Sequence, residues 1–143
     1  MGTNDLVKEL RGRHTEDRAG IAAALTLAVA AARAHHLAIL DGVYNDINNL
    51  SGFEAACRQG QAFGFDGKTL IHPKQIAAAN AAFAPTDAEL ASARKRLDAW
   101  RAAQAAGQGV AVVDGALVEN LHACEAERLL ALADAIAARS APA

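Results

Sequence analysis

Aromatic side chains are scarce in this sequence: one Trp, one Tyr and four Phe make up 4% of its 143 residues. A core built on large rings is therefore excluded. The apolar fraction of 52% is carried mainly by alanine, which favours helix but buries little area, so the expected core is thin and its helices closely packed. Cysteine is almost missing too. Cys57 and Cys124 lack C-x-x-C spacing, which excludes a disulfide framework and predicts a buried, reduced thiol at each. No run approaches the roughly 20 apolar residues of a membrane span, and the polar start MGTNDLVKEL has no signal-peptide core. The cytoplasm is the expected compartment, with no membrane partner. Positive charge is not in excess either: a net charge of -2 argues against a general nucleic-acid surface, which would want a basic stripe.

What is present is a sequence of helix and strand signals. Gly2 to Asp5 forms a turn-like polar cluster, after which Leu6, Val7 and Leu10 start a short helical pattern. Thr15 is a good N-cap with Glu16 and Asp17 behind it, and Ile21, Leu25 and Val29 recur at i, i+4, i+8 along a helix to about Ala34. His35 and His36 stand where a glycine C-cap is expected and are read as solvent-facing. LAILDGV, 37 to 43, is a mostly apolar run of the kind found in parallel strands covered on both faces. Tyr44, Asn45 and Asp46 form its exit loop; Asn48, Asn49 or Ser51 caps the next helix, which carries Leu50, Phe53, Cys57 and Phe63 and stops at Gly64. Phe65 to Lys68 is then expected as a turn, Thr69 to Ile71 as a short strand, and Pro73 as the first position of a helix closing near Phe83.

Beyond Ala84 the grammar changes. Thr86 with Glu89 makes a capping box for a helix to about Ala106, with Leu90, Ala93, Leu97 and Trp100 on one face. Asp114-Gly115 joins Val110–Val113 to Ala116–Val118 as a type I′ hairpin. Asn120 caps a last helix whose apolar side is Leu129, Leu130, Leu132, Ala133 and Ile136, and Ser140 to Ala143 is expected as a frayed tail. His122 and Cys124, two apart on a helix, do not face each other and make no zinc site. The alternation α-β-α-β-α belongs to parallel α/β folds. Two such strands need neighbours for their edges, so the chain is expected to be the C-terminal piece of a larger α/β domain, with a strand missing before Gly2.

Four blocks carry a family resemblance: GTNDL at 2 to 6, LDGVYNDINN at 40 to 49, GFDGKTLIHPKQI at 64 to 76 and VVDGALVENLHACEAERLL at 112 to 130. In order and spacing they resemble the C-terminal half of the citrate lyase beta-subunit-like proteins, the CoA ester lyase branch of the HpcH/HpaI aldolase superfamily. The resemblance implies a partial (β/α)8 TIM barrel over residues 1–83, from the loop after strand six to helix eight. It implies a helix-hairpin-helix extension or lid over 84–143. It also implies a Mg2+-dependent carbon-carbon lyase acting on acyl-CoA thioesters such as citryl-CoA or malyl-CoA, working as a trimer or hexamer or completed by a chain supplying the N-terminal barrel half. A non-catalytic fragment or docking module is the alternative.

Onto this sequence the resemblance places Asp5 as a metal ligand, the Asp of the family's G-x-x-D-L loop. The family's other ligand, a Glu, has no counterpart. Glu119 stands where relatives of the malyl-CoA lyase type carry a catalytic Asp in the extension, supplied to a neighbouring subunit. His72 and Pro73, with Asn45 and Asp46, are candidate substrate or CoA contacts. The residues alone allow a plainer reading: Asp5 as a first-turn helix aspartate, His72 as a helix-start residue satisfied by backbone, Asn45 and Asp46 as caps, and Asp114 as a turn residue.

Overall fold

The computed structural model describes residues 1–140; the notional tail beyond Ser140 lies outside them. The chain divides into two compact units, Met1–Phe83 and Ala84–Ala143. In the first, α1 (Thr3–Glu9), a 3-10 turn (Ala19–Ile21) and α2 (Ala22–Ala34) precede β1 (Leu40–Asp41), α3 (Leu50–Phe63), β2 (Gly67–Lys68), a second 3-10 turn (Pro73–Gln75) and α4 (Ile76–Phe83). β1 and β2 pair in parallel, Leu40 beside Gly67 and Asp41 beside Lys68. The α/β alternation is present, mostly helical, and no more than this strand pair of a barrel is formed in the unit.

The periodic positions of α2 do what their spacing dictates. Ile21, Leu25 and Val29 are buried and meet Val7 of α1 and Phe65 in one cluster. A second cluster gathers Phe53, Cys57 and Ala79 from α3 and α4. Asn49 caps α3 by accepting from the Gly52 N–H at 2.9 Å, and Gly64, at φ 94°, ends it in the left-handed conformation that glycine alone adopts cheaply. At the end of α2 the same role falls to His36, at φ 54°, while the Leu37 N–H returns to the Ala32 carbonyl at 2.9 Å.

Three local expectations are corrected. Thr15 does not cap α2: its hydroxyl donates to the Asp17 carboxylate at 2.6 Å, and Asp17 in turn accepts from the Ala19 N–H at 3.1 Å, opening the 3-10 turn instead. The first strand shrinks to two residues within 37 to 43. The second falls at Gly67–Lys68, inside the stretch expected to turn, and not at 69 to 71. The cause is Asp66. Its carboxylate holds the Arg33 guanidinium at 2.9 Å through each oxygen and takes the Ile39 N–H at 2.8 Å. With the Asp66 N–H on Ile39 and the Thr69 N–H on Asp41, both 3.0 Å, the strand is fixed two residues earlier than apolar content implies.

The second unit holds α5 (Asp87–Ala105), a hairpin of β3 (Ala111–Val113) and β4 (Ala116–Val118), and α6 (Asn120–Ser140). Thr86 and Glu89 form the reciprocal capping box. Asp114 and Gly115, at φ 52° and 80°, make the turn their dipeptide requires. Ala93 and Leu97 of α5 bury against Ala123 and Ala126 of α6. The small alanines bring the helices close, so this core is set by Ala123 and Ala126, with Leu129 and Leu130 partly buried beside them. Leu132 and Ile136 stay exposed. Among the described residues no helix is long and apolar enough to cross a membrane.

The cysteines also part from expectation: Cys57 is buried, but Cys124 is exposed. Burial pushes the Cys57 thiol pKa up, keeping it protonated. Native titration with a chromogenic disulfide is therefore expected to modify Cys124 rapidly and Cys57 only on unfolding. Equal rates for the two would show that α3 opens readily.

Candidate functional site

At the carboxyl end of β1 the chain bends through Gly42 to Asp46 and faces α1 and the segment from His14 to Arg18 across a cleft of about 260 Å³. Asn4 and Asn45 tie the two sides by reciprocal amide bonds of 3.1 and 3.0 Å. Asp46 also accepts from the Asn48 N–H at 3.0 Å, so it shapes the loop while lining the cleft. Tyr44 braces the wall, its ring edge-on to Phe53 with centroids 5.9 Å apart.

The floor is charged. Asp41, wholly buried, accepts from one terminal nitrogen of Arg18 at 2.7 Å through both oxygens, from the Lys68 ammonium at 2.9 Å and from the Gly42 N–H at 2.8 Å. The Lys68 side chain is 2% exposed and that of Arg18 14%. Arg18 reaches this position from a left-handed backbone, φ 53°, a conformation costing a non-glycine residue about 1–2 kcal/mol that the ion pair must offset. Its guanidinium also donates to Gln59 and lies 5.6 Å from the Phe63 ring centre. Gly60 of α3 lets the helix pass over Asp41: a Cβ there would stand 2.8 Å from the carboxylate. Burial pushes the Asp41 pKa upward, but Lys68 and Arg18, through hydrogen bonds and charge together, hold it below its ordinary value.

The remaining candidates lie elsewhere. Asp5 is exposed in the first turn of α1, on the helix whose Thr3 and Asn4 line the cleft. His72 precedes the second 3-10 turn, its Nδ1 accepting from the Lys74 N–H at 3.1 Å, and Pro73 occupies the first position of that turn. Neither belongs to the lining of this cleft. Glu119, in the second unit, is half-buried between β4 and α6, and its N–H donates to His122 Nδ1 at 3.0 Å. Among the described residues no group of three or more His, Cys, Asp and Glu side chains could hold a metal ion. Asp5, a lone exposed carboxylate, does not fix a Mg2+ ion, and these residues do not by themselves make its site.

Sequence reasoning passed over the Arg18–Asp41–Lys68 cluster. A signal was there: Asp41 is the single charge inside the apolar run LAILDGV, and a charge in a strand covered on both faces must find partners.

A cleft at the carboxyl end of a parallel strand gives this unit the arrangement in which α/β folds receive ligands. Comparison with known proteins makes that specific. The chain belongs to the HpcH/HpaI aldolase/citrate lyase family, which its residues 1–73 match. It is 54% identical over 138 residues to a (3S)-malyl-CoA thioesterase of Cereibacter sphaeroides (strain ATCC 17029), covering 96% of this chain and 48% of the relative. To an L-malyl-CoA/beta-methylmalyl-CoA lyase of Cereibacter sphaeroides (strain ATCC 17025) it is 41% identical over 110 residues, 77% of this chain and 35% of the relative. In structure it is similar to protein CitE from Mycobacterium tuberculosis, solved with magnesium, acetoacetate and coenzyme A: TM-score 0.76, 30% identity, 93% of this chain and 50% of that one. A citrate lyase from Burkholderia xenovorans LB400 gives TM-score 0.70 at 26% identity, over 85% and 37% of the two chains. The chain thus spans about half the length of the curated relatives it matches.

Proposed function

We propose that these 143 residues form part of the site of an enzyme acting on CoA thioesters of hydroxy acids, of the malyl-CoA class. The observation that carries the reading is the greater identity to the (3S)-malyl-CoA thioesterase, over nearly the whole chain, than to the malyl-CoA lyase. It favours release of CoA by hydrolysis over carbon-carbon cleavage as the outcome. Either reaction needs a base: in hydrolysis a carboxylate takes a proton from the attacking water, in retro-aldol cleavage from the substrate hydroxyl. Glu119 is assigned that role, delivered to a neighbouring copy in an oligomer. Asn45, Asp46, His72 and Pro73 are assigned to substrate or CoA contacts, and Asp5 to one metal-ligand position. Because the described residues assemble no metal site, no step is assigned to Mg2+, and turnover is expected only in company with the remaining portion of such an enzyme.

The test is complementation. The chain is mixed with the portion of the Cereibacter sphaeroides thioesterase that it does not match, and CoA, malate and glyoxylate are followed on (3S)-malyl-CoA. CoA with malate is expected from the mixture and from neither part alone. A loss of at least about 10²-fold is expected for Glu119→Gln, the lower end of general-base contributions. Glyoxylate would make the reaction a lyase; a silent mixture, or an unaffected Glu119→Gln variant, sinks the assignment. One observation favours the docking alternative for the second unit: Val112 and Leu117 of its hairpin are 70% and 52% exposed.

A further inference from the structure

The charge count at the cleft floor does not close. Arg18 and Lys68 bring two positive charges to the single negative charge of Asp41, and all three are largely or wholly removed from water. A buried charge without a counter-charge is costly unless something answers it. Two donors are left over. The second terminal nitrogen of Arg18 is buried and meets no acceptor among the described residues. The Lys68 ammonium has three N–H bonds, of which Asp41 takes one among the described residues. Lys68 is also the buried lysine of the chain, Lys8, Lys74 and Lys95 being exposed, and it lines the cleft.

We propose that the Arg18–Asp41–Lys68 cluster is a binding site for a small carboxylate, received by the Lys68 ammonium at the cleft floor. A monoanion there brings the cluster to neutrality, and its oxygens accept the spare ammonium hydrogens as charge-assisted bonds. Asp41 orients the ammonium and is kept ionised by the same pair of cations. The rim sets the size and charge accepted. Glu16 and Asp46 line the mouth, where with burial they push the Tyr44 hydroxyl pKa up, and His14 is beside them. These rim groups are exposed and screened by salt, but they line the same cleft and repel a dianionic phosphate more than a monoanion. A slim carboxylate with its charge at the floor avoids them. The cluster's charge carries the site independently of the acyl-CoA reading.

Acetate, a monoanion, without CoA or metal, is the probe, and the 13Cε resonances of the lysines in the 143-residue chain are the readout. Acetate is expected to shift Lys68 saturably and leave Lys8, Lys74 and Lys95 in place. Lys68→Met is expected to weaken binding at least tenfold, and Lys8→Met to leave it unchanged. No saturable shift at Lys68, or equal non-saturable drift of all four lysines, would overturn the site. Undiminished binding by a folded Lys68→Met variant would do the same. Inorganic phosphate binding as tightly as acetate would overturn the choice of carboxylate. Should Lys68→Met fail to fold, the Lys68 resonance in the unaltered chain decides alone.

Discussion

Asp41→Asn is expected to destabilise the chain by about 3–5 kcal/mol in urea unfolding at neutral pH, the range for removing one partner from a buried ion pair. The substitution keeps the shape of the side chain and removes the charge, leaving the Arg18 guanidinium and the Lys68 ammonium 14% and 2% exposed with no anion between them. The loss should appear as a lower midpoint at an unchanged urea slope, since the surface exposed on unfolding is the same. The double variant Asp41→Asn/Lys68→Met should recover part of it, because it removes one of the stranded cations. A loss under about 1 kcal/mol, the range of exposed pairs, would mean that water reaches the cluster. The pH dependence has a fixed sign. Asp41 has a folded pKa below its reference of 3.8, so the unfolded chain binds the proton more readily. Its contribution is fully present above about 3.8 and is lost as pH falls through the folded value. Urea midpoints measured down that window should fall for the wild-type chain, with the Asp41 share of the fall missing in Asp41→Asn.

Phe53→Ala should cost a similar amount, about 3–5 kcal/mol, the range for deleting a large ring from a closed core. Phe53 is 1% exposed and packs against Cys57, Ala79, Leu70 and the edge of Tyr44. In a core so rich in alanine the neighbours are short, and they cannot swing in to fill the space a phenyl ring leaves. Phe53→Leu, which retains more than half the side chain, should cost less. Chemical denaturation of both variants measures the difference; equal losses would point to the Tyr44 ring contact, and not to volume, as what matters. Because Tyr44 leans on Phe53 and its loop carries Asn45 and Asp46, the Phe53→Ala chain should also lose the order of the cleft wall, read as broadened Asn4 and Asn45 amide resonances.

What could be read from the sequence was whatever depends on neighbours close in the chain. Asn49 and Gly64, the Thr86 and Glu89 box, the Asp114-Gly115 turn and the Ile21, Leu25, Val29 stripe each work within a turn or two of backbone. Strand placement failed because each strand is two residues long, too short for a period, and its register follows from Asp66 reaching Arg33 and Ile39 across the fold. The helix faces of the second unit blur because alanine occupies every phase, so Ala123 and Ala126 carry no more apolar signal than their exposed neighbours. The charged floor was hidden for a third reason. Arg18, Asp41 and Lys68 are far apart in the chain, and nothing local says that they meet.

An engineer raising the heat tolerance of this chain would turn first to the glycines within α3, since glycine weakens a helix interior by about 1 kcal/mol relative to alanine. Both doors are shut. A methyl at Gly52 would stand 2.2 Å from the Tyr44 hydroxyl, and one at Gly60 would press on the Asp41 carboxylate. The two glycines of α3 supply the clearance that lets a helix lie across an ion pair and a tyrosine at once, and room for an added methyl is found instead at Gly20 and Gly109, where no atom of the described residues lies within 4 Å of it.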